Sequence, residues 1–264
     1  MLGDAISVSS DPLFWLAAGA AVTCLGLSKS GFVGFGLIAT PFLAIVVAPV
    51  EAATILLPVM LMQDYFAAWA YRHEWNRPAL TATIPGAMLG IGLAWLLAAY
   101  FSDAFVRLTV GLIALALVLS RFLRRRADAA PTQPAAFLGL MWGAVSGFTG
   151  TLANAGGPPF LAYLLPQQLA KMAFVGTTAL YFTAINTMKI LPYFALGQFS
   201  TRNLVTSAAL LPFAVATTFL GTKLLRITPT DVFYRLAYIM VFCISVALIW
   251  EGVAAIMMSE PTSQ

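Results

Sequence analysis

Apolar residues in this chain form long, nearly uninterrupted runs, whereas the surface helices and half-exposed strands of soluble proteins mix apolar with polar positions in a regular period. Six of these runs come close to or exceed the ~20 residues that a helix needs to cross a bilayer. They cover residues 51–71, 78–100, 103–120, 170–196, 203–226 and 230–257. The pattern therefore predicts six membrane-spanning helices.

Four further apolar runs are too short to cross a membrane as helices. They cover residues 13–27, 37–49, 135–148 and 158–168. At about 1.5 Å per residue they reach about 16–22 Å, which is less than the ~30 Å thickness of the hydrocarbon core. We therefore expect two hairpins of half-depth helices, within residues 12–49 and 135–168, each interrupted by a glycine-rich break.

The order of the predicted elements repeats along the chain. A hairpin followed by three spans fills residues 1–120, residues 121–134 form a linker, and the same order returns in residues 135–264. Three crossings in each repeat would turn the second repeat upside down relative to the first. The sequence thus predicts an all-α integral membrane protein of two inverted repeats, each a broken or re-entrant helical hairpin plus three transmembrane helices.

Basic residues give an orientation to this topology. The linker contains four arginines, Arg121, Arg124, Arg125 and Arg126. Because positive residues accumulate on the cytoplasmic side, we expect a cytoplasmic linker and both termini on the external side of the membrane. Inversion also places Lys223 and Arg226 inside and leaves only Arg202 outside, whereas a parallel repeat with four crossings would expose Lys223 and Arg226. Charge therefore favours inverted repeats.

Composition leads to the same class of protein. The 264 residues are 61% hydrophobic and 9% charged, with a mean hydropathy of +0.90, whereas soluble proteins are about 25% charged. This excludes a water-soluble globule. The two cysteines, Cys24 and Cys243, lie in separate apolar runs, which indicates free thiols and not a disulfide framework.

Two glycine-rich breaks, residues 28–36 and 147–159, interrupt the predicted hairpins. Non-helical backbone at membrane depth is tolerated where it is buried in protein or lines a water-filled cavity, and broken helices form the substrate sites of many transporters. We therefore expect the substrate to bind between the two breaks.

The first break contains a lysine. Lys29 would cost at least about 2.5 kcal/mol in the membrane unless it is paired or hydrated, and an anionic ligand would offset that cost. Backbone N–H groups at the start of the following helix add donors, and glycine lets a ligand approach closely. The alternative is that Lys29 reaches the interface or pairs with Asp64 or Glu51. The ligand-binding candidates in this break are Lys29, Ser30, Gly31, Gly34 and Gly36.

The second break has no charge, but it has hydroxyl and amide groups that can hydrogen-bond an oxyanion. The alternative is that its small residues let two helices cross closely while the polar side chains cap helix ends. The ligand-binding candidates here are Thr149, Thr151, Asn154, Gly156 and Gly157.

Polar residues also lie inside two predicted spans. Asn186 and Lys189 are three residues apart and thus share a helix face, and both are candidates for the substrate site. Lys189 is either a second cation for the anion or a structural ion-pair partner. Gln63 and Asp64 are candidates for coupling transport to a proton, although an ion pair between Asp64 and Arg72 is the alternative.

Enzymatic motifs are absent from the sequence. It has no zinc-protease, nucleophile-elbow or phosphate-loop pattern, and its single histidine, His73, lies in a polar loop without companion ligands. We expect no catalytic residues, no metal or other cofactor and no nucleic-acid partner. The expected partners are a small anion and the lipid bilayer, and the oligomeric state stays open.

Four segments identify a family resemblance. They are residues 26–34 (GLSKSGFVG), 147–159 (GFTGTLANAGGPP), 174–177 (FVGT) and 186–189 (NTMK). Together they resemble the sulfite exporter TauE/SafE family, also called the toluene sulfonate uptake permease family. The resemblance implies a bacterial inner-membrane carrier of two related halves that moves sulfite, sulfonates or related small sulfur-containing anions, in a direction that varies among members.

The leading hypothesis is a secondary transporter that moves a small sulfur-containing oxyanion by alternating access, with proton coupling as an option. A non-transporting membrane scaffold or subunit, whose glycines serve helix packing alone, is one alternative. A passive small-anion channel is another.

Overall fold

The computed structural model describes residues 11–32, 35–47, 49–97, 100–123, 135–153, 155–195 and 201–259. All regular elements in these ranges are helices, which confirms the predicted all-α fold class. Ten are α-helices: α1 (Pro12–Lys29), α2 (Gly36–Ala44), α3 (Pro49–Ala70), α4 (Arg77–Leu97), α5 (Asp103–Leu123), α6 (Ala136–Leu152), α7 (Gly157–Leu164), α8 (Lys171–Ala195), α9 (Thr201–Ile227) and α10 (Thr230–Ser259). A short 3₁₀ helix, Leu165–Gln167, follows α7.

Four helices are long and apolar enough to cross a membrane, judged by length and composition among the described residues. They are Pro12–Lys29, Arg77–Leu97, Asn203–Ile227 and Thr230–Met257. Three of them coincide with predicted spans, whereas Pro12–Lys29 lies in the first predicted hairpin. The other three predicted spans are also helical, as α3, α5 and α8. The inversion of the repeats stays a prediction.

The hairpins differ from the prediction in the length of their first arms. Helix α1 has 18 residues and α6 has 17, so at about 1.5 Å per residue they reach about 26–27 Å. The second arms, α2 and α7, are short, with nine and eight residues. The helical part of each first arm therefore extends further into the glycine-rich segment than the apolar runs indicated.

Helix α1 begins and ends with well-defined caps. The Asp11 carboxylate accepts a hydrogen bond from Leu13 N at 2.9 Å, and Pro12 occupies the first helical position, where no N–H is needed. At the other end, the N–H of Phe32 bonds to Leu27 O and that of Gly31 to Ser28 O. This is a Schellman motif, and it requires the positive φ of 119° that Gly31 adopts. Lys29 is thus the last helical residue and not part of unwound backbone.

Two compact units divide the chain, and each combines residues from both halves of the sequence. The first unit contains Met1–Trp75 with Thr178–Phe233, and the second contains Asn76–Thr177 with Tyr234–Gln264. These boundaries differ from the predicted repeats, because each unit contains one hairpin together with helices from the other half. The repeat division itself stays a prediction.

In the first unit, α1 packs against α2, α3 and α9. Its buried face meets residues from the other three helices in one hydrophobic core, which includes Phe14, Ala18, Val22, Leu25, Leu43, Ile55, Val59, Leu210 and Ala214. Gly26 allows a close approach of α1 to α9, since a Cβ there would lie 2.9 Å from the backbone carbonyl carbon of Thr217. The core therefore fixes the end of α1, where Lys29 lies.

In the second unit, α4 and α6 cross at very short distance through glycines spaced four residues apart. A Cβ on Gly86 or Gly90 of α4 would overlap backbone atoms of α6, and a Cβ on Gly143 or Gly147 of α6 would overlap backbone atoms of α4. Gly147, the first residue of the second break, therefore lets two helices cross closely, which is the packing alternative considered for this break.

Candidate functional site

Lys29 and Asp64 form a buried ion pair in the first unit. The Nζ atom of Lys29 lies 2.7 Å from Oδ1 of Asp64, and the side chains are only 12% and 1% exposed. The structure therefore confirms the alternative in which Lys29 pairs with Asp64, and Glu51 is not its partner. Nor is Arg72 the partner of Asp64: its guanidinium bonds to Trp69 O and lies over the Trp69 ring.

Helix α8 holds the same carboxylate from its other side. Asn186 Nδ2 donates to Oδ2 of Asp64 at 2.8 Å, and the hydroxyl of Thr183 donates to the backbone oxygen of Asp64 at 3.0 Å. Both carboxylate oxygens are thus bound, one by an ammonium and one by an amide. A charge-assisted set of this kind is stronger than bonds between neutral groups.

Lys189 adds a second cation to the region. Its side chain is 5% exposed and interacts electrostatically with both Lys29 and Asp64. Lys29 also lies near the ring of Phe182, with Nζ 5.8 Å from the centroid. We name Lys29, Asp64, Asn186 and Lys189 the charge cluster. It contains two ammonium groups and one carboxylate, in a region from which water is largely excluded.

Ser30 fixes the end of α1 next to this cluster. It is fully buried, and its hydroxyl lies 2.7 Å from Gly26 O and 2.9 Å from Thr218 O on α9. The hydroxyl of Tyr71 donates to Ser30 O at 3.4 Å. The hydroxyl of Ser30 therefore holds the end of α1 against α9. Ligand binding by Ser30 stays a prediction.

The glycines of the first break have structural roles in the described residues. Gly31 supplies the positive φ that closes α1. Gly36 is the first residue of α2, and a Cβ there would lie 2.7 Å from Ser28 Oγ of α1. Gly34 lies outside the described residues. The prediction that these glycines bind ligand stays a prediction.

Gln63 ties three helices of the first unit together. It is fully buried, and its Nε2 lies 3.2 Å from Val22 O, 3.2 Å from Ala214 O and 3.3 Å from Thr217 Oγ1. Its Oε1 atom has no hydrogen-bond partner among the described residues. The amide therefore anchors α3 to α1 and α9, while its role in coupling stays a prediction.

The polar groups of the second break bond to nearby backbone within the second unit. Thr149 Oγ1 lies 2.8 Å from Val145 O, Thr151 Oγ1 lies 2.8 Å from Gly147 O, and Ser146 Oγ donates to Gly156 O at 2.6 Å. Gly157 begins α7, and Asn154 lies outside the described residues. Ligand binding by Thr149, Thr151, Gly156 and Gly157 stays a prediction.

Sequence reasoning missed several residues that build the charge cluster. Thr183 lies one turn before Asn186 on the same helix face, so its position was readable once Asn186 was singled out. Phe182, Tyr71 and Thr218 gave no signal, because aromatic residues and threonines are common in apolar helices and their partners lie far away in sequence.

A family model for the sulfite exporter TauE/SafE family matches residues 16–248, which is most of the chain. The chain belongs to this family. Both glycine-rich breaks and all four members of the charge cluster fall inside the match. No curated protein and no solved structure matches the chain. Family membership and the long apolar helices make this a multi-pass membrane protein of an anion-transporter family, not of an enzyme family.

Proposed function

We propose that this TauE/SafE protein is a secondary transporter that moves sulfite, a sulfonate or a related small sulfur-containing oxyanion across the bacterial inner membrane by alternating access. The charge cluster of the first unit contributes the cationic part of its binding site. In this proposal Lys29 and Lys189 attract the anion, and Asn186 donates a hydrogen bond to it. The linker is cytoplasmic and both termini are external, as the distribution of basic residues favours.

The observation that carries the proposal is the burial of two lysines around one carboxylate. Ionisable side chains within membrane helices are costly, and they mark substrate and ion pathways because only function or pairing retains them. With two lysines and one carboxylate, the charge cluster has a positive formal charge, which favours binding of a small anion. The family to which the chain belongs supplies the class of anion.

Flux in proteoliposomes tests this proposal. Purified protein should give sulfite or sulfonate flux that saturates with concentration, because a carrier has a finite number of sites. Flux that rises linearly with concentration would identify a channel. Absence of specific flux, with stability that depends on a partner protein, would identify a scaffold.

Lys29→Gln should lower the initial rate of sulfonate flux by at least about tenfold, equivalent to about 1.4 kcal/mol of lost interaction. The glutamine keeps most of the side-chain volume and removes the charge. Lys223→Gln is the matched control, because Lys223 is exposed in the same unit and lies over the Phe219 ring. Equal rates in both variants would remove Lys29 from the anion site.

A further inference from the structure

The carboxylate of Asp64 is held in the way in which a protein holds a small oxyanion. One oxygen contacts the Lys29 ammonium at 2.7 Å and the other accepts from the Asn186 amide at 2.8 Å. The donors come from two different helices, α1 and α8, and converge on a group that is 1% exposed. A sulfonate or sulfite oxygen would need donors of the same kind.

We propose that Asp64 is an internal competitor of the substrate anion, occupying the Lys29 and Asn186 donors until it is protonated and released, so that one proton enters the site with each anion. This inference rests on the proposed function. It adds a stoichiometry and a mechanism of coupling to it.

The competition follows from electrostatics in a region of low dielectric constant. Two anions held by the same donors repel each other strongly, because the interaction of unit charges grows as the dielectric constant falls. Protonation converts Asp64 into a neutral acid. An oxygen of the incoming anion then takes the place of Oδ1 in the ion pair with Lys29 Nζ. The proton comes from water on the side of entry and leaves when the anion departs, so no covalent bond to the substrate forms or breaks.

The described charged groups that face Asp64 are limited to two lysines. Lys29 comes from α1 and Lys189 from α8, while α2 has no charged residue. Among the described side chains of α9, the charged ones are Lys223 and Arg226, both exposed. On α3 itself, the neighbouring Gln63 is neutral and the hydroxyl of Tyr65 bonds to Thr187. Among these described groups, Lys189 is thus the other one that could make anion affinity fall as the pH rises, because its neutral form would bind anions less tightly.

The competition predicts how anion affinity changes with pH. Where Asp64 is ionised in the empty protein, each rise of one pH unit should weaken anion binding about tenfold, because a proton must be taken up with the anion. At lower pH, where Asp64 is already protonated, affinity should become independent of pH. Binding at the higher pH should take up one proton per anion.

The experiment measures the binding of an alkanesulfonate to purified full-length protein by calorimetry between about pH 5 and pH 9. A sulfonate is the correct probe because its own charge does not change in this range, whereas that of sulfite does. Proton uptake follows from repeating the titration in buffers of different ionisation enthalpy. The variants are Asp64→Asn, which cannot be protonated, and Asp231→Asn as the control, because Asp231 is an exposed aspartate in the first turn of α10.

The expected result is a tenfold loss of affinity per pH unit and uptake of one proton in the wild type and in Asp231→Asn, with both absent in Asp64→Asn. Saturable binding in the wild type without pH dependence or proton uptake would overturn the inference and leave the proposed function standing. A pH dependence that persists in Asp64→Asn would assign the proton to Lys189 and also overturn it. Failure of the wild type to bind sulfonate or sulfite at any pH would overturn the proposed function and the inference together.

If Asp64→Asn does not fold, proton uptake by the wild type and by Lys189→Gln decides the question. Glutamine does not titrate, so uptake of one proton should remain in both proteins if Asp64 is the group that is protonated. Loss of uptake in Lys189→Gln would assign the proton to Lys189 and contradict the competition, as would its absence in both proteins.

Discussion

The first helix of each hairpin ends in a glycine-rich segment, but the residues at the ends of α1 and α6 make different contacts. At the end of α1, Lys29 reaches a buried carboxylate on α3, and Gly31 closes the helix with a positive φ. At the end of α6, Thr149 bonds to nearby backbone, and Gly147 lets the helix approach α4. Similar glycine-rich sequence therefore supports a charged cluster in one hairpin and close helix packing in the other.

This difference shows what small residues contribute in a membrane protein. Without a hydrophobic driving force between helices in lipid, association depends on close packing and on satisfied polar groups. The α4–α6 contact relies on the first of these, and the charge cluster relies on the second. Substitutions that add one methyl group to either hairpin should therefore have different consequences.

Gly90→Ala should have the largest effect on stability, about 3 kcal/mol, because its Cβ would overlap the carbonyl oxygen of Ala144 and lie 2.8 Å from Phe148 N. These are backbone atoms of α6, so α4 and α6 must move apart. The measurement is the midpoint of thermal unfolding in detergent.

Gly92→Ala on the same helix is the matched control. A Cβ at position 92 meets nothing within 4 Å, so alanine should stabilise α4 by about 0.5–1 kcal/mol through helix propensity alone. If both substitutions shift the midpoint alike, close packing of α4 on α6 does not hold the second unit together.

Gly31→Ala should have an intermediate effect. An alanine at a φ of 119° is strained, and the cost is about 1–2 kcal/mol for the left-handed region. Since Gly31 closes α1 directly after Lys29, the strain should also displace the lysine and weaken sulfonate binding.

Gly19→Ala serves as the control for that substitution, because it lies within α1 and its Cβ would have an ordinary contact of 3.8 Å with Phe213. Thermal midpoint and sulfonate affinity should both fall for Gly31→Ala and stay close to wild type for Gly19→Ala. A loss of stability without any change in affinity would separate the closure of α1 from the placement of Lys29.

The sequence was sufficient to predict the helices but not the way in which they assemble. Apolar runs located α3, α4, α5, α8, α9 and α10, since length and hydropathy are local properties. The end of α1 was placed too early, because the apolar run stops before Lys29 while the Schellman closure depends on Gly31. Lys29 consequently belongs to a helix and not to a break.

Long-range packing explains what the sequence left open in the site. The pairing of Lys29 with Asp64 was one alternative among several, because any carboxylate in a nearby span has the right chemistry. Asn186 completes that pair across 122 positions of sequence, and no local pattern encodes such a distance. The combination of helices from both halves in each unit depends on the same kind of contact.

Thr151→Val should have the smallest effect and tests the functional side of the comparison. Valine keeps the shape and removes a hydroxyl that bonds to Gly147 O within its own helix, so sulfonate flux should change by less than about twofold, or about 0.4 kcal/mol. Saturable flux in proteoliposomes is the measurement, with Lys29→Gln in parallel. A tenfold loss in Thr151→Val with unchanged unfolding temperature would mean that the second break also binds the anion. The second break would then also contribute to binding, and the division between a charged and a packing hairpin would be wrong.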